Sequence, residues 1–136
     1  MSELNLKQLV SEVISVIKFN EFGLVPAIAQ QYDTKEVLML AWMNTESIIE
    51  TLKTGNVCYW SRSRKKLWCK GETSGHIQEL IEFRIDCDGD TILTLVNQKG
   101  VACHTGRKTC FFSSVGKGGK RIIYDVEVDP ESLYGK

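Results

Sequence analysis

A chain of 136 residues with 43% hydrophobic and 25% charged side chains has the composition of one folded domain, which excludes a disordered or fibrous protein. Its 17 basic and 17 acidic side chains cancel, so the net charge gives no general attraction to nucleic acid or to an anionic membrane. The N-terminus lacks the apolar region of a secretory signal, and the longest apolar run is too short to span a bilayer. We therefore expect a single cytoplasmic domain over residues 1–136, without nucleic-acid or membrane partners.

The first part of the chain predicts a helix followed by a strand hairpin. Apolar residues at three- and four-residue spacings indicate an amphipathic helix over residues 4–17, capped near Ser2. Residues 23–32 and 36–43 are predicted to form two strands joined by a tight turn. Because proline cannot donate a backbone hydrogen bond, Pro26 favours an edge position or an irregular first strand.

A second helix and a series of strands follow. Asn44 or Thr45 can cap a short helix that ends at Gly55, a residue suited to a left-handed C-terminal position. Further strands are predicted at residues 57–61, 66–70, 76–87, 91–98, 109–114 and 121–126. Residues 115–121 are interpreted as a hairpin loop and not as a P-loop, because Ser114 stands where the first glycine is required and Arg121 where a Ser or Thr is required. The tail after Pro130 is expected to be loosely held. The expected fold class is α+β, mainly β with two or more helices.

Residues 86–90 read Asp-Cys-Asp-Gly-Asp and place carboxylates at alternate positions, within reach of one hard cation such as Mg²⁺ or Ca²⁺. A solvated acidic turn explains this pentapeptide equally well, because Asp and Gly favour turns for local reasons. An EF-hand is excluded, since Thr91 stands where its glycine is required and Asn97 where its glutamate is required.

The chain contains five cysteines, an odd number that favours metal binding or catalysis over a disulfide framework where thiols stay reduced. Cys87, Cys103 and Cys110 lack the spacing of structural zinc modules, but three thiolates can hold Zn²⁺ and leave a fourth position to water. His104 could complete a closed Cys₃His structural site, or it could stand beside the metal as a general base or acid. Buried inert cysteines are the third alternative.

Two neighbouring segments favour an anionic ligand. Residues 59–66 interleave aromatic, hydroxyl and cationic side chains, which suit stacking on a base and hydrogen bonding to phosphate. An exposed strand edge protected by cations would look similar. Residues 70–76 contain glycines that let backbone N–H groups approach an anion, as in phosphate-binding loops. An ordinary β-turn connection would have a similar sequence. Trp42 and Trp68 lie among apolar residues and are interpreted as core residues.

Five ordered blocks of sequence resemble the phosphoribosyl-AMP cyclohydrolase family. They are Tyr59-Trp60-Ser61-Arg62-Ser63-Arg64, Leu67-Trp68 with Lys70-Gly71-Glu72-Thr73-Ser74-Gly75-His76, Asp86-Cys87-Asp88-Gly89-Asp90, Gln98-Lys99-Gly100, and Cys103-His104-Thr105-Gly106 with Cys110-Phe111. They occur in that family's order and spacing, and the resemblance covers residues 24–112. It implies a small folded mixed sheet or pseudo-barrel with flanking helices, assembled as a homodimer.

The resemblance also implies hydrolysis of the adenine ring of phosphoribosyl-AMP between N1 and C6, a step of histidine biosynthesis that uses zinc and magnesium. The implied metal ligands are Cys87, Cys103 and Cys110 for zinc, and Asp86, Asp88 and Asp90 for magnesium. Cys87 of one subunit would join Cys103 and Cys110 of the other. Cys58 and Cys69 fall where the family needs no cysteine and are treated as bystanders.

The remaining site residues are assigned to proton transfer and to the nucleotide substrate. His104 would move protons between the attacking water and the ring nitrogen. The expected substrate contacts are Trp60, Arg62, Ser63, Lys70, Glu72, Thr73, Ser74, Gly75, His76 and Arg107. Many members of the family carry a pyrophosphohydrolase domain after this one, and none is expected here because the sequence ends soon after Cys110.

Two other functional classes stay open at this point. A zinc-stabilised interaction module without catalysis would also explain a Cys₃His set, and chelation would then unfold it. A nucleobase deaminase ranks third, because deaminases pair H-x-E with P-C-x-x-C, whereas this chain has His76-Ile77-Gln78 and no C-x-x-C.

Overall fold

The protein is described by a computed structural model over residues 3–134. In chain order its elements are α1 (Glu3–Val16), β1 (Val25–Gln31), β2 (Val37–Met43), α2 (Thr45–Thr54), β3 (Cys58–Ser61), β4 (Lys66–Cys69), β5 (Gln78–Ile85), β6 (Ile92–Gln98), β7 (Ser113–Gly116), β8 (Gly119–Ile122) and α3 (Pro130–Tyr134). This content confirms the predicted α+β class. The predicted cap at Ser2 lies outside the described residues. Within those residues, the helices are too short or too polar to cross a membrane.

A mixed sheet with the strand order β2-β1-β6-β5 forms the centre of the fold. Strand β1 is antiparallel to β2 and parallel to β6, which confirms the predicted β1–β2 hairpin. The expectation that β1 is an edge strand is wrong, because it lies between two partners. The alternative of an irregular strand is confirmed by a shift of its register with β2 between Ala29 and Gln30. Pairing with β6 begins only at Ala27, so Pro26 stands where the strand has β2 as its one neighbour in the sheet, and its missing N–H is tolerated there.

The hydrophobic core lies between this sheet, helices α1 and α2, and strand β3. Alternate residues of β1, namely Val25, Ala27 and Ala29, are fully buried, as the two-residue period of a strand requires. Ile48 of α2 and Tyr59 of β3 belong to the same cluster. The inward faces of these elements therefore hold the sheet and the smaller β3–β4 hairpin together.

Helix α2 has the boundaries that the sequence predicts. The Asn44 side chain accepts a hydrogen bond from the backbone N–H of Ser47, and the Ser47 hydroxyl accepts one from the N–H of Asn44. Gly55 ends the helix with a φ of 79°, a left-handed conformation that suits glycine. Both signals are local, which is why the sequence carries them clearly.

Two cysteines of the β3–β4 hairpin form a disulfide, so the expectation that the cysteines stay reduced is wrong for this pair. Cys58 and Cys69 are direct partners in the antiparallel register, and their Cα atoms are 3.9 Å apart. The hairpin register brings the two sulfur atoms together, and that register is not evident from the spacing of the cysteines in the sequence.

The C-terminal segment is more ordered than the sequence suggests. Strands β7 and β8 pair from Ser113 to Gly116 and from Gly119 to Ile122, which confirms the hairpin but shifts both strands from residues 109–114 and 121–126. After the hairpin, α3 brings Leu133 into a buried position with 5% exposure. The expectation of a loosely held tail is therefore wrong as far as this helix, because an apolar side chain anchors it.

Candidate active site

A cavity of about 350 Å³ opens beside β4 and the loop that leads to β5. Four of the expected substrate contacts line it: Lys70, Glu72, Thr73 and Ser74. The structure thus gathers the polar and cationic groups of this loop around one concave surface, where they can bind an anionic ligand.

Five lining residues were not among the expected substrate contacts: Arg64, Lys66, Trp68, Cys69 and Gly71. Arg64 and Lys66 belong to residues 59–66, which the sequence analysis associates with an anionic ligand only as a segment. Lys66, Trp68 and Lys70 alternate along β4 and its end, so they share one face of the strand. That alternation was the signal that could have identified them. The interpretation of Trp68 as a core residue is only half right, because its ring packs 5.1 Å from the buried Tyr59 ring while also lining the cavity.

Six other expected contacts lie outside the lining of this cavity: Trp60, Arg62, Ser63, Gly75, His76 and Arg107. The guanidinium groups of the two arginines among them contact other residues of the same chain. The Arg62 guanidinium carbon lies 4.8 Å from the centre of the Trp42 ring. Arg107 donates a 2.8 Å hydrogen bond from Nε to the carbonyl oxygen of Tyr124 and stacks 4.1 Å from the Phe112 ring.

Tight turns shape the loop between β4 and β5. Gly71 has a φ of 80°, and a Cβ atom there would overlap the backbone of His76 and Ile77. The N–H of Gly75 donates to the carbonyl oxygen of Gly71 at 2.7 Å, and the Glu72 carboxylate accepts the backbone N–H of Cys69. The loop is therefore closed by hydrogen bonds between its own residues, and one carboxylate oxygen of Glu72 is used for this purpose.

Lys70 connects the cavity to two of the predicted metal ligands. Its side chain lines the cavity, but the residue is only 7% exposed. Burial lowers the pKa of the Lys70 ammonium, while the nearby thiol groups of Cys110 and Cys103 act in the opposite direction when ionised. The Lys70 ammonium by itself favours the thiolate form of Cys110, but burial of that thiol and the adjacent Cys103 outweigh its effect on the pKa.

Cys103 and Cys110 are brought together by the loop that separates them. Cys103 is 3% exposed, and the Thr105 hydroxyl donates to its sulfur at 3.1 Å. The backbone N–H of Cys110 donates to the carbonyl oxygen of Leu38 at 2.7 Å, which pins it to β2. Protein atoms packed around the Cys110 sulfur raise its pKa to about 12, although part of the residue is exposed, and the adjacent Cys103 contributes to this rise.

Cys87 stands with the acidic residues instead. Asp86, Cys87 and Asp88 are exposed and can present ligand atoms within 4.8 Å of one another. In residues 3–134, no cluster of potential metal ligands joins Cys87 to Cys103 or Cys110. A single chain therefore divides the three expected zinc ligands into a pair and a separate third cysteine.

The acidic turn is organised around Asp86, whose Oδ1 accepts the backbone N–H groups of Asp90 and Thr91 at 3.0 and 3.2 Å. Desolvation raises the pKa of Asp86, but hydrogen bonds from the side chain of Asp90 and from backbone N–H groups together lower it. The contact with Asp86 raises the pKa of Asp90. Gly89 is buried, and a Cβ there would overlap the carbonyl oxygen of Val16, so the turn packs against the end of α1.

His104 occupies the exposed part of the loop after Cys103. Two backbone hydrogen bonds close this loop: Cys103 N–H to the Arg107 carbonyl at 3.1 Å, and Gly106 N–H to the Cys103 carbonyl at 3.0 Å. The imidazole can therefore meet a ligand from solvent while its backbone is fixed beside Cys103.

Comparison with known proteins gives a consistent result. Residues 39–112 match the family model described as phosphoribosyl-AMP cyclohydrolase. Phosphoribosyl-AMP cyclohydrolase of Granulibacter bethesdensis is 62% identical over 92% of this chain and 98% of its own length. The proteins of the same name from Rhodospirillum centenum and Acidiphilium cryptum are 65% and 67% identical over 88% and 82% of this chain, and over 90% and 96% of their own lengths.

Proposed function

The chain belongs to the phosphoribosyl-AMP cyclohydrolase family, and from that membership we propose that it hydrolyses the N1–C6 bond of the purine ring in 1-(5-phosphoribosyl)-AMP. The product would be the formimino-aminoimidazole carboxamide ribotide of histidine biosynthesis, and the expected compartment is the cytoplasm. The structural observation that carries the proposal is the position of Lys70, which lines a cationic cavity and lies beside the cysteine pair.

The cavity has the chemistry that a phosphorylated nucleotide needs. Arg64, Lys66 and Lys70 offer positive charge to phosphate, and Trp68 offers an aromatic face to a base. A volume of about 350 Å³ is near the lower end for small-molecule sites, so one chain encloses only part of so large a substrate. This supports a site completed by a second copy of the chain.

The donor set supports zinc shared between two copies of the chain. Cys103 and Cys110 would come from one copy and Cys87 from the other, because one chain keeps Cys87 apart from the pair. When bound, zinc supplies a nucleophilic water at neutral pH, since the metal lowers the pKa of coordinated water from about 16 to about 7. Three thiolates would exceed the charge of Zn²⁺ by one unit, and the Lys70 ammonium would compensate this excess.

The residues of the chain then have distinct tasks. His104, exposed beside Cys103, would accept a proton from the attacking water and return it to the ring nitrogen at N1 as the bond to C6 breaks. The cations of the cavity would hold the phosphates, and Trp68 would orient the base. The closed loop after β4 would keep these groups at a fixed distance from Cys103 and Cys110.

Magnesium is proposed at the acidic turn, with Asp86, Asp88 and Asp90 as ligands. The side chains of Asp86 and Asp90 are already in contact, and Asp88 is exposed next to Asp86. A hard divalent cation would offset the repulsion between these carboxylates and take their oxygen atoms as ligands. The proximity of Cys87 would place this site next to the zinc site.

The activity is tested by following the ring opening of phosphoribosyl-AMP by absorbance, with Zn²⁺ and Mg²⁺ both present and with each withdrawn in turn. Turnover should require zinc and should fall when magnesium is removed. No ring opening by the fully metallated protein would refute the proposed function. If chelation also unfolded that inactive protein, the alternative of a zinc-stabilised interaction module would replace it.

Subunit mixing tests the shared zinc site. Cys87→Ala and Cys103→Ala proteins should each be inactive, yet mixed dimers retain one intact site, so about a quarter of the wild-type activity should return after subunit exchange in a twofold-symmetric dimer. The matched control mixes the Cys103→Ala protein with the Cys110→Ala protein. Each of these chains lacks one member of the cysteine pair, so no dimer in this mixture contains an intact site. Equal recovery in both mixtures, or none in the first despite proven exchange, would rule out sharing.

A further inference from the structure

His76 lies at the end of the loop that shapes the cavity, and its ring accepts a backbone hydrogen bond from a distant segment. The N–H of Val101 donates to His76 Nδ1 at 2.9 Å. An accepting Nδ1 carries no proton, so the neutral ring must hold its proton on Nε2. The structure thereby fixes both the orientation and the tautomer of this imidazole.

Contacts on the other sides of His76 hold it in this position. A Cβ atom at Gly100 would overlap the imidazole ring, and one at Gly71 would overlap the His76 backbone. The side-chain nitrogen of Gln98 donates to the carbonyl oxygen of His76 at 2.8 Å. The backbone N–H of His76 also donates to Ser74 Oγ at 3.2 Å. Two glycines and three hydrogen bonds therefore confine one residue, which is more constraint than a surface turn requires.

The hydrogen bond joins the cavity loop to the segment that carries the proposed zinc ligand Cys103. Val101 and Ala102 are each 3% exposed, and the N–H of Ala102 donates to the carbonyl oxygen of Lys108 at 3.2 Å. The neighbouring N–H of Val101 attaches the same segment to the imidazole of His76. Any movement of His76 would therefore be transmitted to Cys103, two residues further on.

We propose that His76 is a positioning residue, whose Nδ1 holds Val101 and so sets the position of Cys103 relative to the cavity. This inference rests on the proposed function for its catalytic consequence, whereas its structural consequence can be measured without substrate. It assigns His76 to the loop carrying the metal ligand rather than to direct contact with the nucleotide.

Two substitutions separate these roles, because asparagine places a polar atom near the Nδ1 position and glutamine places one near the Nε2 position. His76→Asn should keep the acceptor for Val101 and stay within a few-fold of wild-type kcat/KM. His76→Gln and His76→Ala should lose about 100-fold, the effect expected when a reacting group shifts by an ångström. If glutamine rescued activity and asparagine did not, His76 would contact the substrate through Nε2 and the proposal would be overturned.

Hydrogen exchange and zinc retention provide readouts that do not depend on turnover. The Val101 amide should exchange slowly in the wild-type protein and in His76→Asn, and faster in His76→Gln and His76→Ala. Competition with a chromogenic chelator should show weaker zinc retention in the same two variants. A Val101 amide that stays protected in His76→Ala would overturn the proposal, even if the protein proved inactive on phosphoribosyl-AMP.

A glycine pair tests the ring position without altering His76. Gly100→Ala would drive a methyl group into the imidazole, whereas Gly55→Ala, at the end of α2, meets no atom within 4 Å. Both glycines have positive φ, at 68° and 79°, so both variants carry similar backbone strain. Gly100→Ala alone should reproduce the faster Val101 exchange of His76→Ala. Equal exchange in the two glycine variants would show that the ring position is immaterial.

Discussion

The Nζ atom of Lys108 lies 2.7 Å from Oε1 of Glu36, an ion pair that ties the loop containing the proposed zinc ligands to the start of β2. The Tyr124 hydroxyl donates to the other carboxylate oxygen at 3.0 Å. The hydrogen bond from Lys108 lowers the pKa of Glu36, with desolvation opposing it and the Tyr124 hydroxyl adding to it. One carboxylate thus joins three parts of the chain.

Glu36→Gln should destabilise the protein at neutral pH and not in acid. A carboxyl group with a lowered folded-state pKa contributes stability above its ordinary pKa and loses that contribution as the pH falls through the lowered value. The loss should be about 1 kcal/mol or less, because both side chains are partly exposed. Urea unfolding at a series of pH values measures it. A wild-type advantage that persists well below pH 4 would contradict this origin.

Reduction of the Cys58–Cys69 disulfide should lower the free energy of unfolding. The bridge closes a short loop with a sequence separation of 11, for which the chain-entropy model gives about 3 kcal/mol. Urea unfolding with and without reductant would measure the difference. The control is the double variant Cys58→Ala, Cys69→Ala, whose free energy of unfolding should be the same with and without reductant. An equal response of this variant to reductant would assign the effect to other thiols.

Lys70→Met should separate stability from activity. Removal of a buried cation leaves the free energy of unfolding unchanged or higher, because burial disfavours the charge. The same change removes positive charge from the cavity and from the cysteine pair, so kcat/KM should fall by about 100-fold. Lys53→Met, at an exposed position in the last turn of α2, serves as the control. It should leave kcat/KM unchanged and lower the free energy of unfolding by about 1 kcal/mol or less, because it removes a cation from a helix C-terminus. Full activity of Lys70→Met would remove Lys70 from the site.

Gly106→Ala should destabilise the loop that contains His104. A Cβ atom there would overlap the carbonyl oxygen of Val128, and the φ of 85° is itself strained for alanine. Gly23→Ala has a similar φ of 74° but meets no atom within 4 Å. Positive φ should cost about 1–2 kcal/mol in both variants, and the overlap should add about 1–3 kcal/mol to Gly106→Ala alone. Thermal unfolding of the two variants should differ accordingly, and identical curves would exclude the overlap.

The sequence predicted best what depends on local chemistry. Helix α2 was correct at both ends because Asn44 and Gly55 determine their caps within one turn. The expected start of β7 at Thr109 was wrong because that residue is held outside the strand by its hydroxyl, which donates to the carbonyl oxygen of Val37 at 2.7 Å. A contact across so many residues leaves no periodic pattern in the sequence.

The site shows the same division between local and distant determinants. The cavity loop was identified from its glycines and polar residues, whereas the strand face that includes Trp68 was overlooked because its apolar neighbours suggested a core position. The separation of Cys87 from Cys103 and Cys110 depends on how the sheet folds and could not be derived from spacing. Only the resemblance to a family implies that Cys87 joins the pair of another subunit, and the subunit-mixing experiment would test this directly.

The attachment of residues 109 and 110 to β2 has a consequence for how copies of this chain meet in solution. Strand β2 is at the margin of the sheet and reads Val-Leu-Met-Leu-Ala-Trp-Met, without a charge to discourage β-sheet extension by another molecule. The backbone N–H of Cys110 and the hydroxyl of Thr109 already occupy the carbonyl oxygen of Leu38 along that margin. Residues 109 and 110 therefore cover part of the exposed backbone edge of β2, so a variant in which this segment detaches should pair more readily with the β2 strand of another copy.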